Sequence, residues 1–336
     1  MQLILQKKVF YHKFKQILSM FLNYKLALIS IIFLTFMVFL ALFGPSLIND
    51  SFTKMNLRLR NLEPFSFDHN FMYFFLAYAL GRSMIARLII ATQNTMFIAG
   101  SAVILSMTLG GALGLISGYF GGKTGNLIMR IADIIMSFPS LLLAVIVLYM
   151  FDPGLLNLVL VLAFTRMPIY MRTARAEVLE IRERLFVSAA ISMGASNTRI
   201  IFKHIAPLTI PTLITIATLD FAFVMLGESA LSFLGVGIQP PEVTWGLMVA
   251  QGRNYLQLAW WLAFFPGLII MLVALSLNLF SSWLRIVLDP RQRWRLQNIG
   301  DKNPRNNFGH TPLDLAYEEN DPKILHFLIG EHSLQY

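Results

Sequence analysis

A run of nineteen residues, LALISIIFLTFMVFLALFG from Leu26 to Gly44, carries no charged side chain and is closed by Pro45. A bilayer core is roughly 30 Å thick and a helix rises about 1.5 Å per residue, so about 20 apolar residues are what it takes to cross. Lipid offers no water to backbone N–H and C=O groups, which leaves such a run the helix as its conformation. Five more runs of this kind follow: about Ala91 to Tyr119 with the Gly-rich centre LGGALGLISGY, about Ile131 to Met150, Leu155 to about Tyr170 after the turn FDPG, Leu208 to Leu226 or a little beyond, and Trp260 to Leu284. The expectation is an all-α polytopic membrane protein with six transmembrane helices. A composition 56% hydrophobic and 13% charged, with a mean hydropathy of +0.64, is too apolar for an ordinary soluble domain and agrees.

The net charge of +9 has two readings, a nucleic-acid surface or orientation in the membrane. With the N-terminus inside, 21 of the 27 Lys and Arg fall on one side, among them Lys7, Lys8, Lys13, Lys15, Lys25, the cluster from Arg166 to Lys203 and the tail from Arg285. Lys54, Arg58, Arg60, Arg82, Arg87 and Arg253 fall on the other. Basic residues near span ends stay in the cytoplasm, so both termini are expected there and no nucleic acid is expected as partner. Residues 1–25, which mix Leu, Ile, Val and Phe with Lys, read as a helix lying in the lipid interface. The apolar run behind them is too long for a cleaved signal peptide and lacks its cleavage pattern, so it reads as a retained anchor.

Several chemistries are excluded. Without Cys there are no disulfides or thiolate metal sites, and the six scattered His form no metal cluster. SGYFGGKTG, Ser117 to Gly125, nearly spells a phosphate-binding loop. Such a loop needs a strand before it and a helix after it, whereas this segment ends a membrane helix and reads as a tight turn. No nucleophile, base and oxyanion-hole set can be assembled from the loops, so the chain is not expected to be an enzyme or to hold a cofactor. Four ionisable groups in or near the spans remain. Arg130 and Asp133, three apart, can pair on one helix face. Asp220 and Glu228, about 80° apart around a helix, are candidates for a translocation path or for a hydrogen bond between helices.

The stretch FVSAAISMGASNTRIIFKHIAP, Phe186 to Pro207, is neither span nor plain loop. Phe186, Ala189, Ala190 and Met193 recur at helical spacing and Gly194 stands where a left-handed cap is wanted. Ser196 can cap a second short helix through Ile200, Ile201 and Ile205, until Pro207 opens the next span. The small Ala189–Ala190 pair allows another surface to come close, and helices this short seldom stand without a partner.

These residues resemble the cytoplasmic coupling loop, or EAA loop, of binding-protein-dependent ABC importer permeases. FLNYKLALISIIFLTFMVFLALFGP, GYFGGKTGNLIMRIADIIMSFPSLLLAVIVL, YMRTARAEVLEIRERLFVSAA, ATLDFAFVMLGESALSFLGVGIQPPEVTWGLMVAQGRNYL and LAFFPGLIIMLVALSLNLFSSWLRIVLDPRQR are similar to the dipeptide and oligopeptide branch of that family, over roughly Phe21 to Arg293. The resemblance implies the type I ABC importer permease fold in the inner membrane. It implies a subunit without an ATPase of its own, partnered by a second similar permease, two cytoplasmic ATPase subunits that bind the ATP, and an extracytoplasmic solute-binding protein. It further implies that Ala189, Ala190 and Gly194 sit in the ATPase's groove, with Arg199, His204 and Pro207 in the helix behind. Leu231 to Trp245, with Gly235, Gly237, Pro240, Pro241 and Trp245, would form an external loop near the gate; the glycines and prolines independently interrupt helix there.

The chain departs from the family pattern at Ser188, where the motif often has Glu, at Ala206, where Leu is usual, and in FLAYALGRSMIARL, which keeps only Leu-Gly-Arg of an external motif. The expected layout is an interfacial segment over 1–25, a six-helix permease domain over 26–293 with its coupling loop at 172–207, a linker over 294–307, and a tail over 308–336. That tail, FGHTPLDLAYEENDPKILHFLIGEH in its core, resembles one ankyrin repeat, and a single repeat cannot bury both its faces. The function implied is import of di- or oligopeptides or related small solutes by alternating access. A transport-inactive scaffold that recruits proteins through the tail stays open as an alternative, while a secondary transporter is disfavoured by the missing inverted repeat.

Overall fold

The computed structural model describes residues 24–48, 83–151 and 154–288. The interfacial reading of the N-terminal segment up to residue 23, the external segment up to residue 82, and the linker and ankyrin-like tail lie outside the described residues. The described elements are helical: α1 (Lys25–Phe43), a short 3-10 turn (Pro45–Leu47), α2 (Met84–Phe120), α3 (Gly122–Met136), α4 (Ser140–Met150), α5 (Leu155–Arg182), α6 (Leu185–Ser192), α7 (Asn197–Arg199), a π-helical turn (Ile200–Ile205), α8 (Ala206–Phe233), α9 (Trp245–Gly252) and α10 (Trp261–Leu288). Ser30–Ser281 form one compact unit; of the other, Met1–Ile29 with Ser282–Tyr336, the described part is the opening of α1 and the close of α10.

The larger unit is organised around α2 and α5. Gly110, Gly114 and Gly118, four apart on α2, lie against Met167 and Tyr170, then Met171 and Ala174, then Arg175 and Val178 of α5. A Cβ on Gly110 would stand 2.5 Å from the Met167 carbonyl oxygen, and one on Gly114 2.5 Å from that of Met171. Helices in lipid gain little from hydrophobic burial and associate by close packing over small residues, which is what this stripe provides. The contacts advance along both helices together, so α2 and α5 run parallel. The chain between them must therefore cross back once. It does so in α3 and α4, which meet at an angle of 85° across the break at Pro139.

Five described helices are long and apolar enough to cross a membrane, and the bent α3–α4 pair is a sixth when its two halves are counted as one broken span. The third run is thus not the continuous span expected, because Pro139 has no N–H to give and disfavours helix at Phe138 before it. Two further boundaries differ. α5 does not stop near Tyr170 but continues to Arg182, its last turns packed through Ala174, Val178 and Ile181. Pro207 opens no new helix: α7, the π turn and α8 follow without a break, and the wider π turn just before Pro207 is where the ladder accommodates a residue with no N–H to give.

The segment with the phosphate-loop spelling joins α2 to α3 by a turn in which Gly121 and Gly122 have φ of 59° and 50°. The segment before it is helix, not strand. Arg175 locks this turn, donating to the Gly125 carbonyl (2.9 Å) and to Ser117 Oγ (3.2 Å).

Candidate functional site: exposed hairpin, buried ion pair and loop latch

The first group of residues lies between α5 and α8. α6 is followed by a tight turn in which Gly194 has φ of 77° and donates to the Ile191 carbonyl, a conformation that glycine enters without the Cβ penalty. Ser196 then caps α7, accepting from the Arg199 N–H at 3.4 Å. The inner side of this hairpin is aliphatic: Val187 and Ala190 pack with Ile200, Ile201 and Ile205 and with Val178 and Ile181 of α5. Tyr119, at the end of α2, donates its hydroxyl to Asn197 (2.8 Å), and Arg182 donates to the Tyr119 carbonyl.

The outer side is bare. Leu185 is 88% exposed and Met193 80%, with Phe186, Ile191 and Phe202 also exposed. Ser188 and Ala189 share this exposure, whereas Ala190 is buried in its own chain. The two alanines therefore do not form one face, since consecutive helical residues point about 100° apart. Arg199 and Pro207 are exposed and His204 half-buried in the helix behind. Leu185 and Phe202 escaped sequence reasoning, and Met193 reads there only as part of a small, weakly apolar face. Their signal was large apolar side chains in a segment too short and too polar to enter the bilayer.

The second group is an ion pair inside the bundle. Asp220 on α8 is 1% exposed and accepts from Nε of Arg166 on α5 at 2.5 Å, from Arg166 Nη2, and from the Tyr170 hydroxyl at 3.0 Å. The Arg166 guanidinium also lies over the Phe223 ring, 5.3 Å from its centroid. Arg166 is not a loop charge at the end of a span, as its place in the charge count assumed, but part of the transmembrane stretch of α5. Setting it aside leaves the excess of basic residues on one side intact. Asp133 pairs with Arg172 of α5 at 2.5 Å rather than with Arg130 on its own helix. Both members are half-exposed, so this second pair contributes little.

The third group closes the other end of α8. Gly235, with φ of 83°, ends the helix after Phe233, and the chain passes Gly237 and a cis bond between Pro240 and Pro241 before α9 starts at Trp245. Glu228, fully buried, accepts from Ser232 Oγ and from Thr244 Oγ1, both at 2.7 Å. Thr244 in turn caps α9 by accepting from the Leu247 N–H. Trp245 is fully buried, and its backbone N–H donates to Thr95 Oγ1 of α2 (3.1 Å). Asn94 donates to the Val243 carbonyl at 2.8 Å. A loop expected to be external is thus latched to the bundle by a buried carboxylate, and Asp220 and Glu228 serve different clusters.

Residues 110–294 match the family model described as the binding-protein-dependent transport system inner membrane component, and residues 13–64 match the N-terminal TM domain of oligopeptide transport permease C. The chain is 37% identical over 269 residues to the dipeptide transport system permease protein DppC of Alkalihalophilus pseudofirmus, covering 80% of this chain and 87% of that one. It is 41% identical over 212 residues to the di/tripeptide transport system permease protein DppC of Pseudomonas aeruginosa, covering 63% and 70%. It is 35% identical over 266 residues to the probable D,D-dipeptide transport system permease protein DdpC of Escherichia coli, covering 79% and 88%. A solved structure of the MetNI methionine ABC transporter in an inward-facing conformation shares the fold, with a TM-score of 0.50 at 18% identity over 61% of this chain and 97% of that chain. The match of residues 110–294 takes in the hairpin around α6, the Arg166–Asp220 pair and Glu228 with Thr244, and the chain belongs to the family of binding-protein-dependent transport system inner membrane components, multi-pass membrane subunits that are not themselves enzymes.

Proposed function

We propose that this protein is the permease subunit of an ABC importer that moves di- or oligopeptides, or small solutes of like size, into the cell. The observation that carries the coupling mechanism is the bare apolar face of α6. Leu185 and Ala189, with Met193 just past the end of the helix, stay exposed on one side although Val187 and Ala190, on the same helix, are buried. Exposed apolar side chains clustered on a short helix outside the bilayer mark a protein contact. The partner is one of two cytoplasmic ATPases, which bind the ATP. The site-residue assignments follow: Ala189 and Gly194 at the contact, Ala190 beneath it as packing, and Arg199, His204 and Pro207 in the helix that carries the motion onward.

Displacement of α6 would be passed on through the aliphatic cluster under it. Val187 and Ala190 bear on Ile200 and Ile205, which continue without interruption into α8, and on Val178 and Ile181 of α5. Close-packed interiors transmit displacement rather than absorb it. Both helices also carry the Arg166–Asp220 pair, so a tilt imposed at one end reaches the middle of the membrane. The peptide class rests on what the similar relatives are named for and on the match of residues 13–64 to an oligopeptide permease segment. A second permease and an extracytoplasmic solute-binding protein complete the assembly. The end of α8 near α6 faces the cytoplasm in this reading, with both termini, and the Gly235–Trp245 loop faces outward.

The test is co-expression with the two ATPases, the second permease and the binding protein, followed by reconstitution and peptide uptake. ATP-dependent uptake stimulated by loaded binding protein is expected, and its absence with every peptide tried would refute the reading. Truncation before residue 298 is expected to leave copurification with the ATPases intact, since one ankyrin-like repeat adds little packed surface. Loss of copurification would make the tail a docking element and favour the scaffold alternative.

A further inference from the structure

Arg166 is the twelfth residue of α5, roughly 17 Å along the helix at 1.5 Å per residue, and so about halfway through a bilayer core. A charge there is costly and calls for a reason. An ion pair that served packing alone would be better replaced by apolar side chains, since burying both charges rarely repays their desolvation. Nor would a packing pair leave one member accessible. Asp220 is sealed at 1% exposure, but Arg166 keeps 23% of its side-chain surface exposed. It lines two adjoining cavities of about 260 and 240 Å³ on the side of the α3–α4 break, and Ser140 at the start of α4 lines both. Asp220 occupies Arg166 Nε and Nη2, Tyr170 holds the other carboxylate oxygen, and Phe223 backs the guanidinium plane. The guanidinium is therefore fixed in place, and what it presents to the cavities is the edge that Asp220 leaves free, with N–H donors on a group whose charge its partner balances from the other side.

A third cavity, of about 420 Å³, shares Thr165 in its wall with both of these and is lined by Leu105, Leu109, Val147, Phe164 and Met167 among others. An immobile cation beside an apolar chamber suits a ligand with an anionic end and an apolar body. We propose that Arg166 is a binding residue for the C-terminal carboxylate of a peptide in transit, with the peptide's apolar side chains in the neighbouring chamber and Asp220 and Tyr170 as positioning residues. This rests on the peptide-importer reading above. It adds a site within the membrane and a ligand chemistry, a free carboxylate next to an apolar side chain. Arginine suits the task because its planar fork can hold Asp220 along one edge and keep N–H donors for a second carboxylate.

The test uses the complete importer in proteoliposomes and one apolar dipeptide with its C-terminal amide, the pair chosen so that both saturate the binding protein. Arg166→Gln alone would strand Asp220 as an unpaired buried charge and confound folding with transport, so the informative variant is Arg166→Gln with Asp220→Asn, which removes both charges. Loss of a charge-assisted hydrogen bond predicts roughly a tenfold or greater fall in kcat/KM for the free acid, with the amide within about twofold of the unmutated complex and Arg166→Lys recovering part of the loss. Equal uptake of the acid by the double variant and the unmutated importer would overturn the proposal, as would an equal fall for acid and amide, which would make the pair purely structural. If the unmutated complex moves no peptide that saturates its binding protein, the importer reading itself fails and this inference falls with it.

Discussion

Both ends of α8 meet a glycine with positive φ close by, Gly194 at 77° and Gly235 at 83°, yet the segments beyond them are held by opposite means. The Gly235–Trp245 loop is seated by its own chain. Glu228 binds Ser232 and Thr244, Thr244 caps α9, and Trp245 is fully buried against α2. The α6 hairpin is seated by one aliphatic side and a hydrogen bond at its rim, from the Tyr119 hydroxyl to Asn197, and turns Leu185, Ile191 and Met193 outward. A segment whose position is fixed within the subunit hides its polar groups in specific pairs. The uncovered apolar surface of the hairpin accords with the ATPase contact proposed for it.

The sharpest way to break this contrast is at Trp245. Trp245→Ala should cost about 3–5 kcal/mol, seen as a lower melting temperature of the purified subunit, while Leu185→Ala at the other end should stay within about 0.5 kcal/mol. Similar losses for both would mean that the two segments are not held differently. Next comes the latch itself. Glu228→Ala strands the hydroxyls of Ser232 and Thr244, about 1–3 kcal/mol for each buried group left unmatched, whereas Glu228→Gln keeps an acceptor and should lose less. Limited proteolysis of the loop between α8 and α9 reads the difference, and equal cleavage of the two variants would count against the carboxylate as the latch.

The glycines give a smaller, internally controlled comparison. A Cβ on Gly237 would stand 2.4 Å from Ser232 Oγ and 2.6 Å from its backbone nitrogen, while one on Gly194 would meet nothing within 4 Å. Gly237→Ala is thus expected to cost about 1–3 kcal/mol through overpacking, and Gly194→Ala about 1 kcal/mol through its left-handed backbone alone. A larger melting shift for Gly194→Ala than for Gly237→Ala would invert the account of the two turns.

What could be read without coordinates was what is local in sequence. Uninterrupted apolar runs located most of the spans, and Gly194 with Ser196 located the turn after α6 and the cap of α7, because each depends on residues within one or two turns. The missed features depend on distance. Asp220 finds its partner Arg166 54 positions away, so the sequence shows two charges without showing that they meet. The local pairing expected of Asp133 with Arg130 lost to a nearer guanidinium on another helix, Arg172. Ala190 looked equivalent to Ala189, and only the packing of Ile200 and Ile205 against it shows that it faces inward. A bulky side chain at Ala190 would therefore disturb this subunit before it reached any partner. Two further features do carry a signal in the sequence: the Gly110, Gly114 and Gly118 stripe, whose four-residue spacing is that of close-packed membrane helices, and Pro139, which stands inside the third apolar run and breaks it.

The central claim, that the bare face of α6 seats in an ATPase, is tested most directly by Ala189→Trp in the reconstituted importer. Ala189 is exposed, so abundance and melting temperature should match the unmutated subunit within about 0.5 kcal/mol. A bulky ring on the contact face would hold the two proteins apart. ATP hydrolysis stimulated by loaded binding protein, and uptake measured in the same vesicles, should then both fall at least tenfold. Stimulation and uptake equal to those of the unmutated importer, with tryptophan in place at position 189, would contradict the account.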